Sequence, residues 1–190
     1  MKSIKLCFCL FFLCSLCPLT AQIIGSTEDN RTVYLFPDFE RGIIAFKNNT
    51  RSAALFNYEL TKQKMVFIDA DSMVMAIKNP SEVLAVVVGE NRFLPASSKG
   101  VFYQEMKAGS GLFYIHRKAN IINTLEVEIV TTLYFKTDKG FKKFSSAKNL
   151  GGLFKGQGKK IEAFAKEKSI NFSNIEDVTM IVEYAFSLMN

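Results

Sequence analysis

The chain has 190 residues, 48% of them hydrophobic and 22% charged, with a formal net charge of +6. That length suits one domain able to bury a substantial core. All four cysteines lie before Pro18, and His116 is the single histidine. Once an N-terminal leader is removed, this excludes a disulfide framework, a cysteine–histidine nucleophile pair and a multi-histidine zinc site.

The N terminus reads as that leader. Lys2 and Lys5 precede an apolar run over residues 6–16, followed by Pro18 and a small-residue site ending at Ala21. This is the order of a cleavable export signal, with the cut expected between Ala21 and Gln22. A membrane anchor is the competing reading, but Pro18, Thr20 and Gln22 interrupt a run that would need about 20 mostly apolar residues to span. Leu13 before Cys14 and Leu16 before Cys17 argue against a lipid anchor, which needs a small residue there. The expected product is residues 22–190: one β-rich domain in the periplasm or outside the cell, thiol-free, with no transmembrane segment left.

From residue 32 to about 145, short β-branched and aromatic runs alternate with Gly, Asn, Asp, Pro and Ser, which predicts strands joined by turns. The runs cover residues 32–36, 42–47, 52–59, 64–69, 73–77, 83–88, 92–95, 101–107, 112–118 and 124–137. In the last, Leu125, Val127, Ile129, Leu133 and Phe135 alternate with Glu126, Glu128, Thr132, Tyr134 and Lys136, predicting an apolar face inward and a polar face toward water. Lys139-Gly140 then turns the chain into a further strand at 141–144. Residues 83–88 are apolar without alternation, as in a strand covered on both faces.

Beyond Ser145 the period changes. Ile161, Phe164 and Ala165, then Val178, Ile181, Val182, Ala185 and Leu188, fall three and four apart, the spacing of amphipathic helices. Ser173-Asn174-Ile175-Glu176 reads as a capping box with Ser173 as the cap. Gly151, Gly152, Gly156 and Gly158 predict a flexible connection or short first helix. Strands followed by terminal helices imply an α+β fold: an antiparallel meander of short strands and two or three C-terminal helices over about residues 146–189.

Reactive motifs are sparse. There is no Gly-x-Ser-x-Gly elbow to pair with His116, which reads as a surface or structural residue on a strand. Gly109-Ser110-Gly111 reads as a tight turn. Gly156-x-Gly158-Lys159-Lys160 lacks the spacing and strand context of a phosphate loop. Asp69-Ala70-Asp71-Ser72 has the acidic spacing that opens a calcium loop, but no following glycine or bidentate glutamate, so a turn is expected. No cofactor or metal site is assigned. The carboxylates worth inspecting for hydrolytic chemistry are Glu105, Glu126 and Glu128, with Asp69, Asp71 and His116 as companions.

Between residues 136 and 168 ten lysines face Asp138, Glu162 and Glu167, a local net of +7. Such a cluster can attract an anionic surface, but lysines beside inward residues are ordinarily the wet side of amphipathic elements. Sequons stand at Asn30, Asn48 and Asn171.

The runs Gly42-Ile43-Ile44-Ala45-Phe46, Ala54-Leu55-Phe56-Asn57-Tyr58, Gln63-Lys64-Met65-Val66-Phe67, Arg92-Phe93-Leu94-Pro95 and Phe102-Tyr103-Gln104-Glu105 resemble a group of uncharacterised secreted proteins of Bacteroidetes. Lys159-Lys160-Ile161-Glu162-Ala163-Phe164 and Glu176-Asp177-Val178 extend the resemblance over most of the chain, with Phe56 where a leucine is expected. It implies a Gram-negative envelope or secreted location and carries no activity or site residues. The expected function is non-enzymatic: an envelope or secreted domain binding a protein, glycan or anionic surface through its sheet face or turns. Nucleic acid is disfavoured for an exported chain. The alternative is a carboxylate-based hydrolase of envelope polymers.

Overall fold

The computed structural model describes residues 31–96 and 100–189. The export segment, its Ala21–Gln22 junction, the cysteines and Asn30 lie outside the described residues. Ten strands come first: β1 Glu40–Phe46, β2 Arg51–Glu59, β3 Lys64–Ile68, β4 Val74–Ala76, β5 Val83–Val88, β6 Asn91–Pro95, β7 Phe102–Ala108, β8 Gly111–Ile121, β9 Val127–Thr137 and β10 Gly140–Phe144. Three helices follow: α1 Ala147–Gly151, α2 Gly158–Glu167 and α3 Ile175–Ser187. The α+β meander expected from the sequence is the observed architecture.

The strands form one sheet in the order β10-β9-β8-β7-β6-β5-β1-β2-β3-β4, and every pairing is antiparallel. It is therefore two meanders, β1–β4 and β5–β10, joined where β1 pairs with β5. Both outer strands are blunted against edge pairing: β4 has three residues, and β10 carries exposed Lys142 and Lys143.

One face of the sheet is internal along its whole width, and it is closed in two ways. Over β7–β10 it meets the helices. Phe113, Ile115, Leu133 and Phe144 pack against Leu150, Phe154, Ile161 and α3. Val178, Ile181, Val182 and Ala185 on α3 are all 0% exposed, matching the spacing read from sequence. Each such Val or Ile contributes about 1.5–3 kcal/mol on burial. The closest approach is at Gly111, where a side-chain Cβ would stand 1.9 Å from the Phe186 ring.

Over β1–β6 none of the three described α-helices covers the face, and the sheet curls on itself. Phe56, Tyr58, Met65, Val86, Val88, Phe93 and Phe102 enclose a second core. The Ala119 amide donates to the Leu60 carbonyl at 3.1 Å, bringing β8 to the end of β2, and the Arg31 guanidinium reaches the carbonyls of Asn123 and Thr124 at the β8–β9 tip.

Four local expectations are corrected. Residues 32–36 form only a single bridge, Tyr34 to Glu59. Pro37 supplies no amide, and the side chain of buried Asn57 takes over the pairing: it accepts from Phe36 N at 3.1 Å and donates to the carbonyls of Phe36 at 2.9 Å and Asp38 at 3.1 Å. Residues 83–88 are not covered on both faces, since Leu84 and Val87 are exposed. A bulge, at which Phe46 opposes Val83 while Ala45 opposes Ala85, puts Val83, Val86 and Val88 together on the inside.

In β9, Leu125 falls in the hairpin tip and is exposed, while Tyr134 on the supposed wet face packs against Tyr103. Finally, α3 is capped by Asn174 rather than Ser173. Its side-chain oxygen accepts from Glu176 N at 2.7 Å and Asp177 N at 3.3 Å.

Candidate functional site

On the inner face of β1–β4 the side-chain sizes do not fill the curl. Ile44, Phe46, Phe56, Phe67 and Met75 are large, but Ser52 opposes Ile44 and Ala54 opposes Gly42 across the β1–β2 ladder. The result is a cavity of about 430 Å³, within the range of about 300–1,000 Å³ typical of small-molecule sites. Buried Ile44 and Phe56 form its floor. Phe46, Phe67, Met75 and Ile77 form its walls, and exposed Ser52, Lys78 and Asn79 stand at its mouth.

Asp69 also borders this cavity. Its Oδ1 accepts from Asp71 N at 3.0 Å and Met73 N at 2.9 Å, closing the β3–β4 turn in which Ser72 takes a φ of 61°. This is the turn expected at Asp69–Ser72, with the carboxylate directed at its own backbone. A second, smaller cavity of about 240 Å³ shares Ala76, Ile77 and Lys78 with the first and adds Lys64, Met65, Pro80 and Gly100.

Nothing in the sequence marked the larger cavity. Its signal is the pair of small residues Ser52 and Ala54 on the same face as Ile44, Phe56 and Phe67, legible only once the strand register is known.

The opposite, outer face carries the other inspected residues. Glu105 and Tyr114 are cross-strand partners, as are Tyr114 and Tyr134 and His116 and Thr132. Glu105 is ion-paired to Arg92 at 2.7 Å and accepts from the Tyr114 hydroxyl at 3.3 Å. Burial, then the charge of Glu105, raises the Tyr114 pKa and keeps the phenol protonated. The rings of Tyr103 and Tyr134 stack at 4.4 Å, and Phe141 sits edge-on to Tyr103 and Tyr114. His116 lies 5.4 Å from the Tyr103 ring, and burial lowers its pKa, with Lys118 adding to the effect. Its Nε2 is buried with no hydrogen-bond partner among the described residues.

Glu105 and His116 thus share a face but border neither cavity at β1–β4. Glu126 and Glu128 are at the β8–β9 hairpin end, hydrogen-bonded to Asn123 and Asn120. Asp69 and Asp71 belong to the β3–β4 turn. The six residues are distributed over three regions, and Asp69 alone borders the large cavity.

The lysines of residues 136–168 are spread over the β9–β10 hairpin and the chain from α1 to the end of α2, and every one is exposed. Asn48 and Asn171 are exposed as well. Among the described residues no three His, Cys, Asp or Glu side chains gather as metal ligands. Nor, among them, is any helix long and apolar enough to cross a membrane. Comparison with protein-family models, with curated proteins and with solved structures gives no match.

Proposed function

We propose that the protein is an exported, non-enzymatic binding domain that takes a small apolar ligand in the β1–β4 cavity. The observation that carries this reading is the cavity itself: a concave hollow lined mainly by apolar side chains, open at a mouth with few polar groups. Burial of apolar surface is the dominant favourable term available to such a site. The leader-like N terminus supports a periplasmic or extracellular setting, released from the membrane. A carboxylate hydrolase has less support, because Glu105 is held by Arg92 and Tyr114 and the other inspected carboxylates are dispersed.

The test uses N-phenyl-1-naphthylamine, a neutral dye that fluoresces in apolar surroundings. We expect saturable binding to the purified protein, lost in Ala54→Leu and in Ser52→Leu, two independent substitutions at inner-face positions of the hollow. No saturable binding, or binding unchanged in folded forms of both variants, overturns the proposal.

A further inference from the structure

We infer that the ligand of the β1–β4 cavity is an amphipathic anion, with a flexible apolar tail in the hollow and a negatively charged head group at Lys78, supported by Lys64. This rests on the reading of the cavity as a binding site and names what the site selects. The walls suit a tail better than a rigid planar molecule. Met75 is an unbranched, adaptable side chain on a strand of only three residues, and it faces Phe67 across the β3–β4 ladder.

The charges bordering the cavity are unequal in position. Asp69 stays charged but stands beyond the Ile68–Val74 end of the β3–β4 ladder, its Oδ1 accepting from the amides of Asp71 and Met73, whereas Lys78 stands beyond the opposite, Val66–Ala76 end. Lys78 is exposed, borders both cavities, and makes no ion pair among the described residues. Lys64, also exposed, stands at the adjoining cavity, where the wall of Ala76 and Ile77 separates it from the larger one. A head group at the Lys78 end would therefore meet the Lys78 ammonium, with Lys64 adding positive charge from the adjoining cavity and Asp69 at the far end of the ladder. Ser52 and Asn79 add hydrogen-bonding groups at the same rim. A cationic amphiphile of the same length would gain the same apolar burial but place its charge beside Lys78.

The experiment is displacement of bound N-phenyl-1-naphthylamine at neutral pH by dodecanoate and by dodecyltrimethylammonium, which share a chain and differ in head charge. We expect dodecanoate to displace the dye at about tenfold lower concentration, the size of effect two partly exposed charge pairs supply. The Lys64→Glu/Lys78→Glu double variant should remove that preference while still binding the dye. Equal displacement by the two amphiphiles, no displacement by dodecanoate, or a preference that survives in the double variant overturns the anion assignment and leaves the apolar site standing. Failure of the dye to bind the wild-type protein overturns both.

Discussion

The two halves of the inner sheet face share one sheet and one strand geometry, yet they end in different states of packing. Over β7–β10 three helices supply the opposing layer, and Val178, Ile181, Val182 and Ala185 of α3 have no exposure at all. Over β1–β6 the sheet must act as its own second layer by curling, and the small residues Ser52 and Ala54 leave a hollow beside the short β4.

Between the halves runs a polar chain on the inner face: Asn91 accepts from Gln104 at 2.6 Å, and Gln104 accepts in turn from Arg117. Burial lowers the Arg117 pKa from its ordinary value. This belt keeps the two cores from merging. The lesson is that a separate helical layer can bury a whole row of side chains, as along α3, whereas a sheet folded onto itself is constrained by its own curvature and leaves space where small residues permit it.

The sharpest way to break the comparison is to exchange the volume changes. Ile181→Ala removes fully buried volume from the helical half, where neighbours on both layers limit collapse, and should cost about 2–5 kcal/mol in urea unfolding. Ala54→Leu adds volume in the curled half. It should leave stability unchanged or raise it by up to about 1 kcal/mol, as cavity-filling substitutions do. Equal losses in the two variants would show that the halves are packed alike.

A smaller effect sharpens the role of the N-terminal segment in closing the curl. Residues 33–36 lie against the curled core, with Phe36 edge-on to Phe93 at 6.2 Å. Asn57→Ala would leave the amide and carbonyl of Phe36 without their partner, a loss of about 1–3 kcal/mol. Because the detached groups belong to one segment, hydrogen exchange should quicken first at Leu35 and Phe36, while α3 amides keep their protection. Uniform acceleration across both halves would instead make Asn57 a residue of the whole fold.

The helical half was the more legible in sequence. Its periodicity depends on positions three and four apart within one segment, so Val178, Ile181, Val182 and Ala185 named their own buried face. Strands were legible for the same local reason, down to the turn at Gly109-Ser110 and, one residue off, the turn expected at Lys139-Gly140, which falls at Asp138-Lys139. What local pattern does not contain is partnership. That β1 pairs with β5, and that Ala54 would stand beside Gly42, depends on contacts distant in the chain, so the cavity was invisible. Asn57 was similarly opaque, since a polar residue inside an apolar strand announces burial only when its partners, here 19 and 21 residues earlier, are known. Tyr134 misled because alternation marks two faces without saying that both are covered.

The smallest expected effect uses acid to separate the halves. His116 sits on the outer face of β8, beyond the helical core, with Tyr103 at 5.4 Å and Lys118 adding positive charge from the same strand. Burial pulls its pKa below the ordinary 6.5, so the folded state favours neutral imidazole while the unfolded chain takes up the proton more readily. The contribution to stability is therefore complete above pH 6.5 and declines as the pH falls from there toward the folded-state pKa, because over that interval the unfolded chain binds more protons. A protonated ring would also carry an N–H at Nε2, a buried atom with no acceptor among the described residues. His116→Gln should remove this part of the pH dependence, so the difference between wild-type and variant stability should narrow or reverse sign on acidification. Exchange at β8 amides should rise in the same interval while dye binding at β1–β4 persists. A pH profile identical in the two proteins would mean that His116 is solvated in the folded state, and the outer face of the helical half would then be as open as that of the curled half.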